Sequence, residues 1–219
     1  MSKKVAVIHT SLVSIVALKE LFKEIMPQVQ MVNIVDDSLL PEVMANGAIT
    51  TGIVRRVCNY ALQAEALGAD VILNQCSSVG EAVDIARNMI NIPYIKIDEA
   101  MAEEAVEIGG SISVIATVAS TMGPSVRLIE RTADKMKKKV EVKGCLVDGA
   151  LDVLLNENDI EKHNRMVLAE IEKVEAESDV IVLAQGSMIV LLPQLKHIKK
   201  PILTSPKSGV ISVKQALGL

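Results

Sequence analysis

Apolar residues along this chain fall into two patterns. Short runs rich in β-branched residues, such as Val5-Ala6-Val7-Ile8 and Val180-Ile181-Val182-Leu183, are bounded by polar or small residues. Between them lie longer stretches, such as Ser14–Ile25 and Thr121–Met136, in which apolar positions recur every three or four residues. The first pattern is that of strands buried on both faces, the second that of amphipathic helices. Strands are predicted at Lys4–Ile8, Gln30–Ile34, Asp70–Leu73, Tyr94–Ile97, Ser111–Ala116, Val140–Cys145, Asp179–Leu183 and Pro201–Leu203. Helices are predicted over Ser14–Ile25, Thr51–Leu67, Ser78–Met89, Met101–Ile108, Thr121–Met136, Asp159–Glu177 and Lys207–Leu217. Pro27 ends the first helix, and Gly68 and Gly109-Gly110 suit helix exits. Regular alternation of this kind predicts an α/β fold of parallel sheets with crossover helices.

No Gly/Ser-rich or Pro-rich linker divides the chain, but it echoes itself. Asp70-Val71-Ile72-Leu73-Asn74-Gln75-Cys76-Ser77-Ser78 resembles Asp179-Val180-Ile181-Val182-Leu183-Ala184-Gln185-Gly186-Ser187. Each is an Asp, a buried strand and a small, polar turn. Open parallel sheets bind ligands beyond the carboxyl ends of their strands. The echo therefore predicts two similar half-domains, each offering a strand-end turn to a ligand.

Composition narrows the function. With 219 residues, 50% of them apolar and 23% charged, the chain is globular and forms one large or two small α/β domains. The apolar run after Met1-Ser2-Lys3-Lys4 is too short for a signal peptide, and no run approaches the ~18 residues of a membrane span. A cytoplasmic location and no membrane partner are the expectation. The net charge is -4, and the only basic cluster, within Lys135–Lys139, sits at a predicted helix end where cations suit the dipole. Two Tyr, one Phe and no Trp leave no stacking platform, which argues against nucleic acid. A core of Val, Ile, Leu, Ala and Met lines a small pocket, better suited to a small polar ligand than to a large planar cofactor.

The chain's three cysteines show no metal-type spacing and are expected to be reduced. Cys58 and Cys145 lie in apolar patterns and read as packing residues. Cys76 lies between a buried strand and the start of a helical run. There the helix dipole and free N–H groups are expected to lower its pKa, making it a candidate acid/base or nucleophile. Packing as a small hydrophobe is the competing reading. Thr117, Ser120 and Thr121, after a strand, form a candidate carboxylate cradle, or an ordinary helix cap at Ser120. Gln185, Gly186 and Ser187 end a strand in the same way. An amide and backbone N–H groups there suit an oxyanion, although Gln cannot transfer a proton at neutral pH. His9, Thr10 and Ser11 follow the first strand, and His9 is a candidate proton carrier or a structural histidine. His163 and His197 read as surface residues. Asp36-Asp37 lacks the glycine pattern of a dinucleotide site, and no Walker-type loop, zinc spacing or Gly-x-Ser-x-Gly elbow occurs.

Taken in order, Ile8-His9-Thr10, Leu73–Ser78, Ala116–Thr121 and Val182–Met188 with Leu191-Leu192-Pro193 resemble the aspartate/glutamate/hydantoin racemase superfamily over nearly the full length. Ser205-Pro206 is a weaker fifth match. The resemblance implies two α/β domains related by a pseudo-twofold axis, residues 1–98 with 205–219 and residues 99–204, with the active site in the cleft between them. It implies cofactor-independent proton transfer at a substrate carbon by one cysteine from each domain. The first of these is Cys76. The second should fall at Gln185, where this chain departs from the pattern. The superfamily also holds malonate-type decarboxylases with a single cysteine, in the second domain, and maleate isomerases with two.

The expectation is therefore an isomerase or racemase acting on a small carboxylate through an enolate-like intermediate. Cys76 would be the principal acid/base and His9 the candidate second proton carrier. Thr10, Ser11, Ser77, Thr117, Ser120, Thr121, Gln185, Gly186 and Ser187 would hold the substrate. One alternative is a decarboxylase in which Cys76 only donates a proton. The other is a non-catalytic binder of small acids. Homo-oligomers are common for such folds, but no interface is legible in these residues.

Overall fold

A computed structural model describes residues 2–219. Every predicted strand forms, to within one residue at either end: β1 (Lys4–His9), β2 (Gln30–Val35), β3 (Val71–Asn74), β4 (Tyr94–Lys96), β5 (Ser111–Ala116), β6 (Glu141–Leu146), β7 (Val180–Leu183) and β8 (Ile202–Thr204). The helices are α1 (Ile15–Ile25), α2 (Leu39–Asn46), α3 (Thr51–Ala66), α4 (Gly80–Ala86), α5 (Glu99–Ile108), α6 (Ala119–Met136), α7 (Ala150–Asp152), α8 (Ile160–Val174) and α9 (Ser205–Ala216). The predicted helix Ser78–Met89 is divided, since 3-10 turns at Ser77–Val79 and Arg87–Met89 flank α4. Three helical pieces escaped the pattern. They are α2, which is short and holds Pro41; α7, which runs into a π turn at Val153–Glu157; and a 3-10 run, Gly186–Gln194, that holds Pro193. Proline and short length both mask helical periodicity.

The chain divides into two compact units, Met1–Ala100 with Pro206–Leu219, and Met101–Ser205. Each carries a four-stranded sheet, parallel throughout, in the orders β2-β1-β3-β4 and β6-β5-β7-β8. The two orders are the same topology, so the fold is α/β with two similar parallel-sheet units.

Side-chain alternation along the strands sorts each unit into two cores. In the first, Ala6, Ile8 and Ile72 face α2, α3 and α4, while Val5, Val7, Val71 and Leu73 face α1 and α9. In the second, Ile112, Val114, Val180 and Val182 face α5 and α6, and Ile115, Ile181 and Leu183 face α8. Helix α9 packs against the end of β4 so closely that a Cβ at Gly209 would lie 2.5 Å from the Ile97 carbonyl.

The sequence echo has a structural cause. Asp70 stands at the head of β3, and its amide donates to the Lys4 carbonyl (2.8 Å) while its Oδ2 accepts from the Lys4 amide (2.8 Å). Asp179 does the same at the head of β7, donating to the Ser111 carbonyl (2.8 Å) and accepting from Ser111 (2.9 Å) and Gly110 (3.0 Å). Each Asp thus satisfies the first free N–H of the neighbouring central strand. Gly109 is required beside the second clamp, because a Cβ there would sit 2.2 Å from Asp179 Cβ.

Candidate active site

In this topology the chain leaves the central strand toward one side of the sheet and returns on the other. The connections therefore diverge at the carboxyl ends of the two middle strands, which is where open α/β sheets bind ligands. In the first unit those strands are β1 and β3, followed by Thr10 and Cys76. In the second they are β5 and β7, followed by Thr117 and Gln185. Register makes the pairs equivalent: Ile8 pairs with Asn74 and Ile115 with Leu183, and the four residues lie two beyond these. Cys76 (φ -119°, ψ 119°) and Gln185 (φ -112°, ψ 129°) also share a backbone conformation, each preceding a 3-10 turn.

Cys76 is half-buried and packs beside the core that holds Ile8 and Ile72. Desolvation pushes its thiol pKa above the ordinary value, against hydrogen bonds from the Thr10 hydroxyl, the Ser78 amide and hydroxyl and the Val79 amide. The expected lowering by the helix start is present as those bonds, but burial outweighs it. Thr10 has 2% exposure, so its hydroxyl is fixed rather than mobile. Asn74 steadies the same turn through Nδ2 to the Cys76 carbonyl (2.7 Å).

Gln185 closes on its neighbour instead. Its Oε1 accepts from the Thr117 amide (2.9 Å), and its Nε2 donates to Thr117 Oγ1 (2.9 Å). The amide is thus oriented, with its oxygen engaged and one N–H not used in this pair. It is a hydrogen-bond donor and not a proton carrier. Thr121 is buried and Ser120 half-buried in the first turn of α6, whose cap position is Val118 rather than Ser120. Gly186 is half-buried and Ser187 exposed in the turn after Gln185, and Ser11 is half-buried after Thr10.

His9 takes a different place. It lies on β1 on the same side as Val5 and Val7, whereas Cys76 packs beside Ala6 and Ile8 on the other face. The imidazole has 0% exposure, and its Nε2 lies 2.9 Å from Asn33 Oδ1. Burial lowers its pKa, so it is held neutral, with Nδ1 lacking a hydrogen-bond partner. The sheet does not bring His9 to Cys76. The other expectations from composition fall out simply. Cys58 and Cys145 are buried, and His197 is exposed beside Glu172 (3.1 Å). Asp36 accepts from the Ser38 hydroxyl (2.5 Å), Tyr60 (2.6 Å) and Arg56 (3.1 Å), and Arg56 also pairs with Glu42.

One residue beside the site went unnoticed in the sequence. Asp98, two residues past β4, has 3% exposure and accepts a hydrogen bond from the Ser77 hydroxyl. Desolvation pushes its carboxyl pKa up against that bond and the nearby Lys96. No motif marks it, and only the pairing of β4 with β3 places it beside the Cys76 turn. No helix is long and apolar enough to cross a membrane among the described residues.

The Asp/Glu/hydantoin racemase family model matches residues 8–213. No curated protein sequence matches the chain. Among solved structures, it is similar to glutamate racemase from Francisella tularensis in complex with D-glutamate, at 12% identity and TM-score 0.76, covering 99% of this chain and 81% of that one. Allantoin racemase from Klebsiella pneumoniae matches at 19% identity and TM-score 0.72, covering 100% and 89%. The aspartate racemase of Picrophilus torridus matches at 16% identity and TM-score 0.72, covering 98% and 94%. At these identities the structures speak for the fold.

Proposed function

This chain belongs to the Asp/Glu/hydantoin racemase family, and from that premise we propose that it is an isomerase or racemase that moves a proton at the carbon beside a small carboxylate, with Cys76 as the acid/base. The observation that carries this reading is a half-buried thiol two residues beyond the Ile8–Asn74 strand pair and opposite Thr10, where the Thr10 hydroxyl and the Ser78 amide and hydroxyl favour its charged form. Such donors stabilise a thiolate, while partial burial limits its hydration. In the proposed step the Cys76 thiolate takes the proton from the α-carbon. The electron pair moves into the carboxylate as an enediolate, and that carbon regains a proton either from the Cys76 thiol on the same face or from water on the opposite face, the second giving inversion. The Ser11 hydroxyl is available to donate to substrate oxygens, whereas those of Thr10 and Ser77 already donate to Cys76 and Asp98. Two turns of the second unit, one with Thr117, Ser120 and Thr121 and the other with Gln185, Gly186 and Ser187, are assigned to carboxylate binding by the same chemistry. No cofactor enters this scheme. His9, neutral and on the other sheet face, is given no proton to move.

A second reading is favoured by one pair of observations. The Cys76 thiol retains its proton more firmly than an ordinary cysteine, and its counterpart is Gln185. A reaction that needs only one proton donor, decarboxylation of a malonate-type or β-keto acid followed by protonation from Cys76, fits both. Incubation of small α-substituted acids, malonates and β-keto acids in deuterated buffer, read by NMR, separates the two. Deuterium at the α-carbon with the carboxylates intact supports isomerase chemistry, and loss of carbon dioxide supports the lyase. If neither appears while a small acid binds tightly, both enzymatic readings fail.

A further inference from the structure

Three polar atoms at the carboxyl end of the first sheet are shut off from solvent and meet no hydrogen-bonding partner among the described residues: His9 Nδ1, Ser14 Oγ and Gln75 Oε1. They come from separate segments but share one place. His9 ends β1 on the side of Val5 and Val7, the face that α1 covers. The Gln75 amide donates to the Ile8 carbonyl (3.0 Å), which carries the β1–β3 ladder one step past Asn74. Gln75 is therefore the lateral neighbour of His9, one strand spacing of about 4.8 Å away, and alternation puts its side chain on the same face. Helix α1 crosses between two parallel strands, so it runs back along β1 and its start lies over the end of that strand. The Ser14 carbonyl accepts from the Leu18 amide (2.9 Å), which places Ser14 one turn before Leu18 on the stripe that packs against Val5 and Val7.

Their chemistry calls for a particular partner. Asn33 Oδ1 can only accept, so His9 Nε2, 2.9 Å away, carries the ring proton. Burial keeps the ring neutral, which makes Nδ1 an acceptor. Gln75 Oε1 is an acceptor as well. The Ser14 hydroxyl has one hydrogen and can serve only one of the two. A molecule that gives two hydrogen bonds and takes one matches all three atoms, and water is such a molecule. Buried waters make about three bonds of this kind to groups that would otherwise go unpaired, and bare buried acceptors are costly.

The second unit fills the same place differently. Val7 pairs with Asn33 as Val114 pairs with Gly144, and Ile8 with Asn74 as Ile115 with Leu183. The counterparts of His9, Asn33 and Gln75 are therefore Ala116, Gly144 and Ala184. Met122 lies over Gly144 so closely that a Cβ there would sit 2.8 Å from its sulfur, and Ala116, Ala184 and Met122 belong to one apolar core. His9, Asn33 and Gln75 thus occur together in one unit and are replaced together in the other.

We propose that one buried water bridges His9 Nδ1, Ser14 Oγ and Gln75 Oε1 and so ties the exit of β1 to the exit of β3. Gln75 precedes Cys76, and Ser14 closes the segment that carries Thr10 and Ser11, so the bridge holds both exits that flank the thiol. It does not depend on Cys76 being a proton carrier. A crystal structure of the full chain at a resolution that shows ordered water should place one water within about 2.6–3.2 Å of all three atoms. No density there, or the three side chains paired directly with one another, overturns the proposal. Urea unfolding of Ser14→Ala, Gln75→Met and the double variant gives the second test. Each single variant should lower the midpoint by about 0.3–1 M. The double variant should fall no further than the lower single one, because either change releases the same water. Additive falls overturn the bridge. So does a raised midpoint in Gln75→Met, the result of replacing an acceptor that had no partner. If Gln75→Met does not fold, the density in the wild-type crystal decides alone. In the single variants the rate at which iodoacetamide alkylates Cys76, read by peptide mass mapping, should rise about 2- to 10-fold as the exits loosen, the worth of one hydrogen bond. A wild-type rate in both overturns the tie between the exits.

Discussion

The two strand-end turns share a backbone and differ in chemistry. Thr10 hydrogen-bonds a sulfur that can lose a proton, whereas Thr117 is locked to a carboxamide that cannot. The same threonine thus performs two tasks, tuning an acid in one unit and fixing a donor in the other. Equivalent topology therefore sets where a ligand group can be met, and side-chain identity sets what happens to it.

Several substitutions break or sharpen this contrast. Cys76→Ser should lower the rate of deuterium incorporation into substrate by about 10²- to 10⁴-fold, the usual worth of general acid–base catalysis. Retention of near-full turnover would remove the thiol from the mechanism. Gln185→Cys restores the two-thiol set that the family resemblance implies. It should raise inversion of an enantiopure small carboxylate by up to about 10²-fold, measured by chiral chromatography. An unchanged rate would mean that the second turn takes no part in proton transfer.

Stability is expected to divide along the same lines. The Asp36 network caps the end of β2 in the first unit, where the second unit has Val147, whose amide, like that of Asp36, reaches back to the central strand. Desolvation raises the Asp36 pKa, but the bonds from Ser38, Tyr60 and Arg56 outweigh it, and the net direction is down. Tyr60 responds in kind, pushed up to about 12 by burial and by Asp36. Asp36→Asn should cost about 1–3 kcal/mol near neutral pH in urea unfolding. Because the folded pKa lies below the unfolded one, this contribution is complete above the ordinary Asp value and is lost as pH falls through the folded pKa. The gap between wild type and variant should therefore close on acidification. The smallest effect expected is that of Thr117→Ala, about 1 kcal/mol of stability with no change in Cys76 alkylation. Thr10→Ala, by contrast, should alter alkylation.

Much of this molecule was legible in the order of its residues. The β-branched runs located all the strands, because burial on both faces leaves an unbroken apolar signature. The Asp that heads each echoed segment marked two copies of one structural clamp, and Cys76 stood out as a thiol between a strand and a helical run. These are local properties, set by neighbours a few residues away. What only the tertiary structure decided were partnerships between distant residues. Thr117 meets Gln185 across a sequence separation of 68, Asp98 reaches Ser77 through strand pairing, and the alternation of β1 turns His9 away from the thiol. The direction of the Cys76 pKa belongs to the same class. The helix start was visible in the sequence, but desolvation depends on everything packed around the sulfur, and that is a sum over the fold.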